Sequence, residues 1–208
     1  MLAAYSIPTP RVELARTADE AAALARQLGF PVALKVASPD IPHKSDVGGV
    51  LLNLGNEEVV AEGFMSIIRN ARIAQPQAKL LGAHIQRMIP NGQEVIVGAV
   101  QDPQFGALIM FGSGGVEVEG LKDVAFGLGQ LSREEAEYLL ENTWAGRKLR
   151  GYRNLQPADR AAVIDTLLRL SQLATDFPQI AEIEINPLRV LSEGQGVIVV
   201  DVRAKIKA

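Results

Sequence analysis

The sequence has no cysteine, which excludes disulfides, thiolate nucleophiles and a Cys-ligated zinc site and is compatible with a reducing compartment. Only two histidines, His43 and His84, are present, which argues against a multi-histidine metal centre. No stretch is apolar for the length a membrane span needs, and the start, Met-Leu-Ala-Ala-Tyr-Ser-Ile-Pro, lacks the basic region and apolar core of a secretory signal. Neither sign of charge dominates: the net charge is −3 with acids and bases well mixed, so there is no nucleic-acid footprint and no polybasic membrane patch. Together these absences lead us to expect a cytoplasmic protein. At 208 residues and 48% hydrophobic content, the chain can build one sizeable core or two small ones, and nothing in it reads as disordered.

The most informative stretch lies between two short strand-like runs, Pro31 to Val36 and Val50 to Leu54. It reads Ala37-Ser38-Pro39-Asp40-Ile41-Pro42-His43-Lys44-Ser45-Asp46-Val47-Gly48-Gly49. Connections in compact domains usually run to about 4–6 residues, and longer ones are commonly functional or disordered. A neutral imidazole is a good nucleophile near neutrality, an ammonium neutralises phosphate oxygens, and paired glycines let backbone N–H groups approach an anion. The residues suit a phosphate-handling loop, and they equally suit a solvated loop with no chemistry. Lys35, between Leu34 and Val36, has two readings as well: an edge-strand lysine in solvent, or a cation reaching into a cleft toward phosphates.

Taken in order, Leu2 to Tyr5 reads as the tail of a helix stopped by Ile-Pro-Thr-Pro, as if the chain began inside an element. Thr17-Ala18-Asp19-Glu20 is a capping box opening a helix with Ala21, Leu24, Ala25 and Leu28 on one face, and Gly29 closes it. Asn56 caps a second helix with the stripe Val60, Phe64, Ile67 and Ala71. Leu80 to Ile89, Glu94 to Val100 and Phe105 to Phe111 read as strands, the last two as an antiparallel meander. Gly112-Ser113-Gly114-Gly115 is either a phosphate cradle or a tight corner. Ser132 caps a third helix, Arg147, Lys148, Arg150 and Arg153 make a basic surface run, and Pro157 at the first helical position opens a fourth helix with Val163, Leu167, Leu170 and Ala174 inward.

The C-terminal stretch predicts a hairpin between Ala181 to Pro187 and Gly196 to Arg203. Pairing Leu191 with Gly196 sets Ile185 against Val202 on the apolar face, Glu184 against Arg203, and Asn186 against Asp201; a one-residue slip would mix polar and apolar residues on both faces. An amide oxygen beside a carboxylate suits Mg²⁺, which takes one or two protein oxygens and completes its shell with water and phosphates. The alternative is an ordinary solvent-facing strand surface.

Several of these segments occur together and in order over nearly the whole chain: Leu34-Lys35-Val36, Ser38 to Val50, Asp102-Pro103-Gln104-Phe105-Gly106, Gly114-Gly115, Leu121-Lys122-Asp123, Glu184-Ile185-Asn186-Pro187 and Asp201-Val202-Arg203. The set resembles the ATP-grasp subunit or domain of ADP-forming acyl-CoA synthetases, the NDP-forming acetate–CoA ligases related to succinyl-CoA synthetase. The resemblance implies an α+β ATP-grasp fold, two lobes with largely antiparallel sheets enclosing a nucleotide cleft, divided here near 1–85 and 86–208. It places Lys35 on the nucleotide phosphates, Gly48 and Gly49 in the loop that covers them, Gln86, Arg87 and Met88 at the adenine-side hinge, and Glu94 as the ribose-binding acid. Asn186 and Asp201 fall at the Mg²⁺ ligands, Glu184 at a carboxylate near the phosphohistidine, and His43 at the histidine that is transiently phosphorylated. The implied cofactors are ATP or ADP and Mg²⁺.

The sequence departs from that pattern in three ways. Gln86 stands where many relatives have Glu, the leading helix is cut short, and nothing resembles the CoA-binding, Rossmann-like part that carries the other phosphohistidine. The resemblance therefore implies a partner: an alpha-type subunit or a fused CoA-binding domain, which would also hold the carboxylic acid. The apparent start inside an element favours a fusion. One rival is a non-catalytic ATP-grasp-like scaffold fused to a protein acetyltransferase, which loss of the histidine or metal positions would mark; here they are present. Another is a carboxylate–amine ligase on the same fold, which needs no loop histidine.

Overall fold

The computed structural model describes residues 1–115 and 123–207. Leu121 and Lys122, part of the family pattern, lie outside them. The described residues divide into two compact units, Pro10–Ile89 and Met1–Thr9 with Pro90–Ala208.

In the first unit, strands β1 (Val12–Ala15), β2 (Val32–Ala37), β3 (Val50–Leu54) and β4 (Gly82–Arg87) pair antiparallel in the order β1-β4-β2-β3. Helices α1 (Ala18–Leu28) and α2 (Glu57–Ala74) cover one face of that sheet. Their starts are local: the Thr17 hydroxyl accepts from the Glu20 N–H at 3.1 Å and Asn56 Oδ1 from the Val59 N–H at 2.9 Å, each meeting an otherwise unpaired helix donor. The capping box at Thr17 is one-sided, since the Glu20 carboxylate takes the N–H of Arg16 instead of that of Thr17. Gly29, at φ +84°, ends α1 where a side chain would be strained. The expected apolar stripes face inward: Ala21, Ala25, Val60 and Ile67 pack on Val32, Leu34 and Ile85. The short edge strand β1 was not anticipated, because four residues carry almost no periodic signal.

In the second unit, β5 (Gln93–Asp102), β6 (Gly106–Ser113), β7 (Val124–Leu128), β8 (Ile180–Val190) and β10 (Val202–Ile206) make a sheet ordered β10-β8-β5-β6-β7, with β9 (Val197–Val199) also paired to β8. Every pair is antiparallel. Helices α3 (Arg133–Glu141), α4 (Trp144–Lys148) and α5 (Arg160–Asp176) share its core, in which Leu139, Leu140, Leu167 and Leu170 join Val97, Ile109, Phe111 and Ile185. The opening residues are a single 3-10 turn, Leu2–Tyr5, rather than the end of an α-helix.

The meander is antiparallel as expected, though β5 runs on to Asp102 and Gln101 faces Ala107. The C-terminal hairpin has the expected register: Ile185 faces Val202, Glu184 faces Arg203, and the Leu191 N–H donates to the Gly196 carbonyl at 3.0 Å. Pro157 does not open α5. That helix starts at Arg160 because Asp159 is the better cap: its carboxylate accepts the Ala162 N–H at 3.0 Å and, from its other oxygen, the Gly196 N–H at 2.8 Å. The basic run is a solvated face as expected, with Arg147, Arg150 and Arg153 exposed. Arg147 and Lys148 close α4, Trp144 at its start stands edge-on to Tyr152 at 4.8 Å, and Arg150 pairs with Glu141, which Arg160 also holds at 2.6 Å.

Candidate functional site

The candidate residues of the first unit fall on one sheet face and one loop. Along β2, Val32, Leu34 and Val36 turn toward the helices, so Ala33 and Lys35 turn the other way. The edge-strand reading of Lys35 is wrong: β2 is paired on both sides, and Lys35 is half-buried with His84 and Val50 as ladder partners. Gln86, opposite Ala33, shares that face and is buried. Arg87 is exposed at the end of β4, and the Met88 N–H beyond it donates to the Pro31 carbonyl at 2.9 Å.

His84 belongs with this face too. It alternates with the buried Ala83 and Ile85, so it points away from the core and is not a core histidine. Partial burial, then the charges of Lys44 and Lys35, push its imidazole below the ordinary value, because an imidazolium loses hydration on burial and would be a third cation beside two ammonium groups. The sequence hides this convergence, since the β2–β4 pairing joins residues about fifty positions apart.

The loop between β2 and β3 is anchored. Ile41 and Val47 are buried with Val36 and Ala71 in a small cluster of their own. Asp40 Oδ2 accepts the Lys79 N–H at 2.7 Å, and Asn70 Nδ2 donates to the Gly48 carbonyl at 3.2 Å. His43 stands exposed above these anchors and Lys44 is half-buried. The two glycines do something other than present N–H groups to an anion: Gly48 donates to the Ser45 carbonyl at 3.0 Å and Gly49 to the Lys44 carbonyl at 2.8 Å. Gly49 is a packing requirement, because a Cβ there would lie 2.5 Å from Val36 Cγ1.

The second unit carries the remaining candidates. Glu184 and Asn186 lie on β8, half-buried, with Glu184 between Gly98 on β5 and Arg203 on β10. The Asn186 N–H donates to the Asp201 carbonyl at 3.1 Å, so the two residues are neighbours as expected. Asn186 Oδ1 accepts the Gly115 N–H at 3.0 Å, which sets the amide's orientation and leaves its oxygen a second lone pair. An amide oxygen and a carboxylate are hard donors of the kind Mg²⁺ takes. Among the described residues no cluster of three or more His, Cys, Asp or Glu could hold a metal ion, and the Asn–Asp pair is a sparser set that relies on phosphate and water to complete the shell.

Glu94, on β5, forms an ion pair with Arg189 across the β5–β8 ladder at 2.5 Å. Arg189 was not singled out in the sequence; its only signal was a cation between the apolar Leu188 and Val190. Asp123, part of the Leu121-Lys122-Asp123 segment, was assigned no role by the sequence: its carboxylate accepts the Trp144 and Ala145 N–H groups at 2.7 and 2.8 Å and the Ser113 hydroxyl at 2.8 Å, tying the end of β6 to the start of α4.

Residues 1–206 match the protein family described as "ATP-grasp domain". The chain is 43% identical over 188 residues to the acetate–CoA ligase [ADP-forming] I subunit beta of Pyrococcus furiosus, covering 90% of this chain and 81% of that subunit. The chain belongs to the ATP-grasp domains of the ADP-forming acid–CoA ligases. This ATP-grasp domain is also 45% identical over 198 residues to acetate–CoA ligase [ADP-forming] I of Archaeoglobus fulgidus, covering 95% of this chain but 29% of that longer protein. In three dimensions it is similar to the dinucleotide forming acetyl-coenzyme A synthetase 1 of Ca. Korarchaeum cryptofilum in complex with coenzyme A, Ca-AMPCP and HgCl+, with a TM-score of 0.95, 39% identity, and coverage of 99% of this chain and 89% of that one. No helix among the described residues is long and apolar enough to cross a membrane.

Proposed function

We propose that this ATP-grasp domain is the nucleotide-binding, phosphoryl-transferring part of an ADP-forming acid–CoA ligase, acting in the cytoplasm. The overall reaction is acyl-CoA + ADP + phosphate in exchange with acid + CoA + ATP. An alpha-type subunit or CoA-binding domain with the other phosphohistidine supplies the acyl phosphate and thioester steps and holds the acid and CoA. The observation that carries the reading is His43 exposed on an anchored loop in a chain that shares 43% identity with a ligase beta subunit.

In the transfer, an oxygen of the ADP terminal phosphate forms a bond to the phosphorus on His43 while the P–N bond breaks. The electron pair stays on the imidazole nitrogen, which regains its neutral form. Lys35 neutralises phosphate oxygens, Gln86, Arg87 and Met88 flank the base, and Glu94 takes the ribose. Gly48 and Gly49 form the turn beneath the histidine and reach phosphate only when their own hydrogen bonds open. Asn186 and Asp201 would hold Mg²⁺, which when bound neutralises phosphate charge, and Glu184 has the role of the carboxylate that serves the phosphohistidine. Phosphoryl transfer rests mainly on such positioning and charge neutralisation.

Incubation with ATP radiolabelled at the γ-phosphate, followed by peptide mapping, tests the reading. Label should require Mg²⁺, be lost in acid as a phosphoramidate is, vanish in His43→Ala and persist in His84→Ala. Label on His84, or an acid-stable phosphoester on a serine, would overturn it.

A further inference from the structure

We propose that Arg189 is the positioning residue that fixes the Glu94 carboxylate for the ribose hydroxyls of the nucleotide, a proposal that rests on the nucleotide-binding reading above. Glu94 and Arg189 are ladder partners on β5 and β8, so their side chains stand side by side on one face of the sheet. One terminal guanidinium nitrogen donates to Glu94 Oε1 at 2.5 Å and the other to the Pro90 carbonyl at 3.3 Å. The Arg189 side chain is only 19% exposed. Its Nε is buried without an acceptor, a cost folding does not ordinarily accept unless the group is held there for another purpose.

The carboxylate is confined on its other side by Gly115. A Cβ on Gly115 would lie 2.4 Å from Glu94 Oε2, and the residue sits at φ +65°, so the oxygen occupies the volume a side chain would need. The same Gly115 donates its N–H to Asn186 Oδ1 at 3.0 Å, which holds the backbone in place. Glu94 is thus clamped between a guanidinium and a bare backbone. A carboxylate accepts up to about four hydrogen bonds, so the bond to Arg189 sets its direction without exhausting it. Glu94 also lines a cavity of about 460 Å³ with Asn91, Gly92, Lys148, Gln156 and Ser192, a volume in the range of small-molecule sites. A carboxylate fixed at the wall of such a cavity suits a pair of adjacent hydroxyls, whose two O–H donors need two oxygens in a set plane.

The test compares binding of MgATP, its 2′,3′-dideoxy analogue and magnesium tripolyphosphate by calorimetry. The wild-type chain should bind ATP roughly 10- to 100-fold more tightly than the dideoxy analogue, the size of hydrogen bonds to a charged acceptor. Arg189→Met should bring that ratio close to one while leaving tripolyphosphate affinity unchanged, and Arg189→Lys should restore part of it. Gly115→Ala, which drives a methyl into Oε2, should collapse the ratio with Arg189 intact. A role in folding alone would weaken all three ligands alike. Should Arg189→Met not fold, the Lys and Gly115→Ala variants carry the same comparison. Persistence of the full ratio in the variants overturns the proposal; failure of the folded wild type to bind any of the three overturns the nucleotide reading itself.

Discussion

At the scale of single residues, the protonation of His84 has a thermodynamic signature. Burial and the charges of Lys44 and Lys35 depress its pKa in the folded state, so between the folded value and the ordinary one of 6.5 the unfolded chain binds more protons than the folded chain. The contribution to stability is present above 6.5 and lost as the pH falls through the folded pKa. The urea midpoint of the wild type should therefore decline, from about pH 7.5 to about pH 5, more than that of His84→Gln, whose side chain does not titrate. Equal slopes for the two proteins would show that the imidazole is not held near those ammonium groups. His84 and Asn186 differ in how far the sequence could place them. Asn186 and Asp201 lie on a local hairpin, where apolar alternation permits one register, so their adjacency was legible. His84 meets Lys35 through a pairing with most of the unit's residues in between, and Arg189 meets Glu94 across an even longer separation. Alternation indicates the face such residues occupy but not their neighbours.

Among the elements, the connection from β2 to β3 is the informative one. Its prolines and glycines suggest a segment moving as a unit, yet Ile41 is 1% exposed and packs with Val36, Val47 and Ala71. Burial inside a loop follows no period, so nothing in the sequence marks Ile41 and Val47 as anchors. Ile41→Ala should cost about 2–5 kcal/mol, the range for truncating a buried aliphatic side chain. That loss should appear locally, as faster hydrogen exchange at the Asp46, Gly48 and Gly49 amides, which bond within the loop. Unchanged exchange there would mean that the cluster does not hold the loop. The helices were more readable, because caps such as Thr17, Asn56 and Ser132 are written in consecutive residues. Pro157 misled because the Asp159 carboxylate, three residues ahead of the Ala162 N–H and near Gly196, is the stronger helix start. The strands β1 and β7 are edge strands of four and five residues, too short for alternation to declare them.

For the whole molecule, the proposed function divides the labour between this chain and a CoA-binding partner. The chain spans 29% of the A. fulgidus ligase. The 208 residues alone should label His43 from ATP yet form no acyl-CoA from acid, CoA and ATP, and adding a CoA-binding partner should restore turnover. Thioester formation by the 208 residues alone, at the rate of a complete enzyme, would contradict that division. The antiparallel pairing of the meander and hairpin could be read from periodicity and turns, whereas the α+β class followed from the resemblance to the ATP-grasp domains. The grouping of the first nine residues with the later unit could not, because Leu2 and Ile7 are buried by residues found far along the chain.

That grouping bears on how the chain is made. Residues 10–89 form a unit of their own, with Val12 opposite Gln86, so a ribosome completes this insert before Arg169, Asp176 and Val199, which bond to residues 5–8, are made. Tyr5 waits for Asp176, to which it donates at 2.5 Å, Ser6 for Arg169, and the Pro8 carbonyl for the Val199 N–H at 2.9 Å. At about 5–20 residues per second, the delay is on the order of ten seconds. During that time residues 1–9 lack these partners, and the closing of the nascent larger unit is timed by the arrival of β8, β9 and β10.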